Sequence, residues 1–415
     1  MTTVSRREFL AGSAALAAAT YARAGDKPND KVRLAVMGVR SRGRDLARSF
    51  LKCDGVEVVT LIDPDETLIP RAVKDLPTAP KIEKDVRRAL EDPSITALVV
   101  AAPDHWHALA TIWACQAGKH VYVEKPVSHN LIEGRRMVQA ARKYNRVVQA
   151  GTQRRSGSHF LTAREYVRAG KLGKVPFAKA WIGGNRPDIG HKADSEVPAG
   201  VDYNLWLGPA PERPFNVNRF HYEWHWNWDL GTGEIGNNGI HGLDGLRMLL
   251  DLDAPTRITS AGGRYYYDDD RQTPDTQLAA FDFPGTTIAW EHRIWAPKPQ
   301  AGEGFGITLY GQKGTLAIDG KGWRVEDGDG ASDKGKEPQG PHVQNFVDCV
   351  RGGGKPNADI EEGHKSTRLC HLGNIAHRVG RTLEFDAATE TIRGDAEANK
   401  LLGRAYRKGF ELPSL

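Results

Sequence analysis

Cysteine is scarce in this chain. Four residues in 415 (Cys53, Cys115, Cys349 and Cys370) stand far apart, with no paired spacing of the kind that holds a metal ion. A chain of this length buries a core without covalent staples, so all four are read as reduced core residues and no metal site is expected. No apolar run reaches the ~20 residues that cross a bilayer, so no stable membrane span is expected. Positive charge exceeds negative by only 5, part of it near the N-terminus, which gives no electrostatic case for nucleic acid. Repeats are absent too. What remains, 40% hydrophobic and 26% charged, is the balance of a globular enzyme with room for two domains.

Residues 1–24, MTTVSRREFLAGSAALAAATYARA, hold a paired Arg6-Arg7 ahead of Glu8-Phe9-Leu10. An Ala/Gly/Leu stretch from Ala11 to Ala19 and an Ala22-Arg23-Ala24 step follow. A basic start, an apolar middle and a small-residue cleavage site make an export signal, and the arginine pair marks the twin-arginine type. The expected partner is the twin-arginine export machinery, and the expected location is periplasmic or otherwise exported. That route carries proteins already folded, often with a cofactor loaded. Residues 25–31 read as a linker.

The stretch VRLAVMG, Val32 to Gly38, is a buried parallel strand ending in a glycine turn. Arg40, Ser41, Arg42 and Gly43 continue the turn into a helix, Arg44 to Phe50, and the next strand, VEVVTLID, ends at Asp63. Strand, glycine turn, helix, strand and an acid roughly 20 residues past the turn is the order of a dinucleotide-binding unit. The glycines admit the pyrophosphate to the backbone, and Asp63 accepts from the adenosine ribose. Asp63 favours NAD. Arg40, which replaces the usual middle glycine, and Arg42 leave NADP open. Further strands end at Pro103, Glu124-Lys125-Pro126 and VVQAGTQ (through Gln153). The loop Pro103-Asp104-His105-Trp106-His107 and the Glu124-Lys125-Pro126 tripeptide both lie at carboxyl ends of strands, where doubly wound sheets bind ligands. This first domain is expected over residues 32–156.

Past Gly157 the strand–helix alternation stops, and residues 157–415 read as a second domain. Trp206, Trp224, Trp226 and Trp228 crowd one stretch with His221 and His225, and aromatic faces beside polar groups suit a sugar ring. Glu234 to Leu250 is expected as one helix on which Asn237 and His241, four apart, share a face that Asp244 continues. Strands from RITSAGGRYYYDD to GWRVED suit an antiparallel or mixed sheet. Gly328 to Pro341 reads as a polar, flexible loop, and two helices, HVQNFVDCVRG and Glu361 to Arg381, follow it.

With its glycine turn, APDHWHA, VEKPVSHN, QAGTQRRS and GTGEIGNNGIHGLD in this order, the chain resembles the Gfo/Idh/MocA oxidoreductases from about Val32 onwards. The resemblance implies an N-terminal Rossmann doubly wound parallel sheet followed by an α/β domain with a large open, mostly antiparallel or mixed sheet. It implies NAD(P), a sugar or polyol substrate, and a homodimer or homotetramer. Lys125 matches the family lysine that assists proton transfer, and His241 the family acid/base histidine. The cofactor residues are then Gly38, Arg40, Ser41, Arg42, Gly43, Asp63, Pro103, His107, Glu124, Lys125 and Gln153. The substrate residues are Tyr203, Trp206, His225, Trp226, Asn237, Asn238 and Asp244. Asn237 stands where many members carry aspartate, which leaves any Asp–His relay absent or rewired.

Export sharpens the expectation, because no dependable nicotinamide pool exists outside the cytoplasm. The cofactor should be tightly held and regenerated in place. A sugar oxidoreductase with a second, re-oxidising substrate satisfies this. So does a redox-neutral glycoside hydrolase that oxidises a ring hydroxyl transiently, eliminates the aglycone, adds water and returns the hydride. A third reading is a non-catalytic sugar-binding protein, against which the retained Lys125 and His241 argue.

Overall fold

A computed structural model describes residues 31–296, 304–336 and 338–415. The expected signal segment 1–24 and most of the expected linker lie outside the described residues. Six strands build the first sheet: β1 (Val32–Met37), β2 (Val56–Ile62), β3 (Lys81–Glu83), β4 (Ala97–Val100), β5 (His120–Val123) and β6 (Val148–Ala150). They run parallel in the order β3-β2-β1-β4-β5-β6. Their apolar runs are buried on both faces, as a helix-covered parallel sheet requires. The order reverses beside β1, and the ligand crevice of such a sheet opens there, beyond the carboxyl ends of the strands.

Ten strands form the second sheet. They are β7 (Phe177–Gly183), β8 (Arg257–Gly263), β9 (Thr276–Phe283), β10 (Thr286–Arg293), β11 (Phe305–Gly311), β12 (Gly314–Ile318), β13 (Gly322–Glu326), β14 (Ser332–Lys334), β15 (Leu383–Asp386) and β16 (Thr391–Ile392). The order is β14-β13-β12-β11-β7-β10-β9-β8-β15-β16. Only β7 and β10 pair in parallel; the other pairings are antiparallel, so the sheet is mixed as expected. Its inner face packs Ala178, Ala180, Phe281, Ile288 and Trp290 against Leu243, Leu246 and Leu249 of the helix Ile240–Leu250. The four cysteines are free and buried, in line with the expectation for them.

The two cores are tied by the last long helices. Val343, Phe346 and Val347 of the helix Gln339–Val350 join the cluster of Leu34, Phe50 and Tyr122 in the first domain. The helix Ile360–Val379 lays Gly363 against Ala150 and Val127, and further along it lays Gly373 against Ile235 and Phe281.

Three local expectations need correction. The segment 328–341 holds β14, paired with β13, and the first turn of the helix from Gln339, so its described part is not a loop throughout. The DHWH segment is the opening turn of a helix, Asp104–Gln116, because Pro103 sits well just before a first turn and Asp104 favours the N-terminal dipole. Strand β8 stops at Gly263. The amides of Tyr265, Tyr266 and Tyr267 turn instead onto one Asp275 oxygen at 2.9 to 3.1 Å.

Candidate active site at the carboxyl ends of the first sheet

The glycine turn after β1 is set by close packing. Gly38 has φ +84°, and a Cβ there would lie 2.6 Å from the Ala101 carbonyl oxygen at the end of β4. The same crowding admits only glycine at Gly43, where a Cβ would fall 1.9 Å from the Gly38 oxygen. Asp63 holds this turn: one oxygen accepts from the Val39 amide at 2.8 Å and the other from the Asp65 amide at 3.0 Å. Burial raises the Asp63 pKa to about 6 against those two bonds. Asp63 therefore has a structural task besides the ribose contact read from sequence.

From this turn an open cleft of about 1240 Å³ runs past Pro103 and His107 to Glu124, Lys125 and Asn237. Gly38, Arg40, Ser41, Arg42 and Asp63 form one end, and Trp206 and His225 from the second domain roof it. Such an elongated cleft, glycine-floored at one end, fits a dinucleotide. The Arg40 side chain is exposed at the lip, with no ion pair among the described residues, and so does not block the phosphate end. Arg42 turns inward: it donates to Glu124 at 2.7 Å and to Gln339 at 2.7 Å. Burial disfavours its charge, but Glu124 more than offsets this and its pKa is raised.

At the end of β5, Lys125 Nζ donates to the Asn237 carbonyl at 2.8 Å and to Asn237 Oδ1 at 3.2 Å. Burial lowers the Lys125 pKa, opposed by Glu124 and Asp104. His107 braces the loop beneath it, with Nδ1 2.6 Å from the Pro126 oxygen and Nε2 2.8 Å from the Ala102 oxygen. Asp104, buried beside the lysine, accepts from Thr232 Oγ1 at 2.8 Å, and burial raises its pKa to about 7. Sequence reading passed over this Asp104–Thr232 pair. Its only signal was the acid opening the APDHWHA helix.

Asn237 belongs to a π-turn, Ile235–Gly239, inserted ahead of the helix Ile240–Leu250. The expected single α-helix is thus widened between Asn237 and His241, a device common at functional sites. Thr232 crowds the turn so closely that a Cβ on Gly236 would lie 1.8 Å from its Oγ1. His241 Nδ1 is buried without a partner. Burial, and then the charges of Arg154, Lys125 and Arg42, drive its pKa well below the ordinary value, so the imidazole is neutral. His241 does not itself line the cleft. It stands behind Asn237, within reach of the Lys125 field.

His225 is the second neutral imidazole. Its Nδ1 donates to the Tyr222 carbonyl at 2.6 Å, which leaves Nε2 as the acceptor, and burial lowers its pKa to about 3. Trp224 stacks on it at 3.6 Å. Tyr203 stacks on Trp206 at 5.8 Å and points its hydroxyl to the Pro214 oxygen, behind the cleft wall. Gln153, after β6, has a buried Oε1 without a partner.

Besides Tyr203, three expected substrate groups are placed elsewhere. Asp244 is buried in an ion pair with Arg155 at 2.8 Å and accepts from Ser366 at 2.6 Å, so its charge is spent joining the last long helix to the core. Trp226 is buried, donating to Glu223 at 2.8 Å under the Arg271 guanidinium. The Asn238 side chain turns back to Glu234, away from the Asn237 side of the turn.

Comparison with known proteins agrees with this geometry. A family model described as an oxidoreductase family, NAD-binding Rossmann fold, matches residues 32–152, and its companion, the C-terminal alpha/beta domain, matches 174–272 and 329–412. Myo-inositol 2-dehydrogenase of Thermotoga maritima is 29% identical over 34% of this chain and 42% of its own length. A glycosyl hydrolase family 109 protein of Stenotrophomonas maltophilia is 37% identical over 30% of each chain. The alignments thus span less than half of either relative. The WlbA dehydrogenase of Bordetella pertussis, solved with NADH and UDP-GlcNAcA, shares the fold at TM-score 0.66 and 20% identity, over 86% of this chain and 99% of its own.

Proposed function

Because the chain belongs to the Gfo/Idh/MocA oxidoreductase family and carries its NAD-binding Rossmann domain, we propose that it oxidises or reduces a sugar or polyol at a CH–OH carbon with a retained NAD(P). The observation that carries this reading is Lys125, held by two Asn237 oxygens at the inner end of the cleft, where β5 ends. Nicotinamide, when bound, supplies the hydride acceptor and donor. Gly38 to Gly43 and Asp63 bind the adenosine and pyrophosphate end, and Glu124 with Arg42 shapes the far wall.

Asn237 aims the Lys125 ammonium rather than neutralising it. A cation so placed stabilises the alkoxide that develops as the hydroxyl gives up its proton. We assign that proton to His241, which is already neutral and lies four residues past Asn237. His225 and Trp206 exclude water and offer an acceptor and an apolar face to the ring.

A second reading, net glycoside hydrolysis through transient ring oxidation, is favoured by the 37% identity to a family 109 hydrolase and by Asn237 in place of the usual aspartate. Product analysis separates them, since only the second releases unoxidised sugar and aglycone. The test of the main reading is a panel of sugars and polyols added to purified protein while the absorbance of its bound nicotinamide is followed. Lys125→Ala and His241→Ala should each slow that change about 100-fold or more with cofactor content intact. Near-normal turnover in both variants would overturn the assignment.

A further inference from the structure

Arg154 stands out among the cations at the carboxyl ends of the first sheet. It lies in the 3-10 turn Gln153–Ser156 that follows β6, one strand over from Lys125. Its neighbours are all engaged: Arg155 with Asp244 and Glu362, Arg42 with Glu124, and Lys125 with Asn237. Among the described residues no carboxylate or carbonyl accepts from Arg154, and its Nη1 is buried without a partner. The guanidinium is instead laid flat on Phe305, with Cζ 3.7 Å from the ring centroid, and Phe160 lies at 5.8 Å. Burial pulls its pKa down to about 10, which keeps it charged at neutral pH.

A guanidinium held this way is pre-organised. The ring fixes its plane, and the edges are left for a partner. Taking such a cation out of water without a counter-ion is unfavourable, and among the described residues only the more distant Asp244 charge and the Phe305 ring offset the loss. Two further unpartnered atoms belong to the same corner. Gln153 Oε1 is on the adjacent residue, and His241 Nδ1 is on a ring that feels the Arg154 charge more than that of any other residue. The corner thus offers one cation and two neutral hydrogen-bonding groups.

We propose that the substrate is an acidic sugar, a uronic or aldonic acid, whose carboxylate is bound edge-on by Arg154 beside Gln153. One planar guanidinium matches one planar carboxylate in charge and in geometry, whereas a phosphate dianion calls for more donors than this corner holds. The inference rests on the dehydrogenase reading for the position of the reacting carbon. The anion site itself rests on Arg154 alone.

The experiment is calorimetric titration of the purified holoprotein with glucuronate, galacturonate and gluconate, with their uncharged parents and methyl esters, and with glucose 6-phosphate. At least one acid should bind about 10- to 100-fold more tightly than its parent and its ester, the scale of a charge-assisted pair. Arg154→Gln should bring that ratio to within about 3-fold, and Arg154→Lys should restore part of it. Melting curves and nicotinamide content establish that the variants are folded. The proposal is overturned if no acid outbinds its parent, if the preference survives Arg154→Gln, or if the phosphate is preferred. Acids that bind through Arg154 without changing the nicotinamide absorbance would refute the dehydrogenase reading and leave the anion site standing. Neutral sugars that reduce the cofactor with no acid preference would do the reverse.

Discussion

Asp104 is a carboxyl group held in the core with one donor, Thr232, and its pKa is raised by burial to about 7, well above the ordinary ~3.9 of aspartate. Between these values the folded protein holds a proton that the unfolded chain has released. Stability contributed by this group therefore falls as pH rises from about 4 to 7. Asp104→Asn keeps an acceptor for Thr232 and removes the titration. The difference in melting temperature between variant and wild type should then move in favour of the variant across that window, and a difference flat with pH would show that Asp104 ionises normally. Residue chemistry of this kind was only half legible. The types at Lys125, His241 and Asp63 were readable from motif and spacing. The engagement of Asp63 with the Val39 amide, of Lys125 with Asn237 and of Asp244 with Arg155 was not, because each pairs residues 24 or more positions apart.

At the scale of elements, the segment Tyr203–Gly208 shows how the second domain reaches over the first. Trp206 presents its carbonyl to both the Trp106 indole N–H and His105 Nε2 at 3.0 Å, and Arg407 donates to the Gly208 carbonyl at 2.8 Å. Gly208 has φ +47°, and a Cβ there would sit 2.3 Å from the Trp106 ring. Gly208→Val should therefore cost about 2–3 kcal/mol through backbone strain and the steric clash. Leu205 and Trp206 roof the cleft, so the same variant should also lose nicotinamide on gel filtration. A variant with unchanged melting and full cofactor would show that the segment does not govern retention. The π-turn at Ile235–Gly239 belongs to this scale too. Apolar spacing marked a helix there correctly, but spacing says nothing of one inserted residue. That was decided by Thr232 against Gly236 and by Trp290 against Gly239.

For the molecule as a whole, the second sheet buries one face and leaves apolar groups on the other. Phe177 is 39% exposed, Leu278 50% and Tyr310 38%, and the rings of Phe177 and Tyr310 stack at 5.8 Å. β7, β10 and β9 are neighbours in the sheet and β11 flanks β7, so these groups share one face, with Lys179, Thr287 and Glu291 between the Phe177–Tyr310 pair and Leu278. Large apolar groups left exposed on a sheet face rimmed by polar residues mark a contact between chains, and the protein is predicted to self-associate through this face. Light scattering should give a multiple of the single-chain mass, and Phe177→Lys with Leu278→Glu should return it to one chain. A wild-type protein that scatters as a single chain would remove the prediction.

The sequence by itself determined the class of fold and the order of its parts. Buried parallel strands need unbroken apolar runs, a dinucleotide turn needs glycine, and these are local requirements that leave local marks. It also supplied the residues with chemical capacity at the strand ends. The tertiary structure decided which of those residues work together. It set Lys125 on Asn237, withdrew Asp244 and Trp226 into the core, brought Asp104 to Thr232 and laid Arg154 flat on Phe305. A side chain's charge state and direction depend on burial and on partners from other elements, and no periodicity along the chain records those.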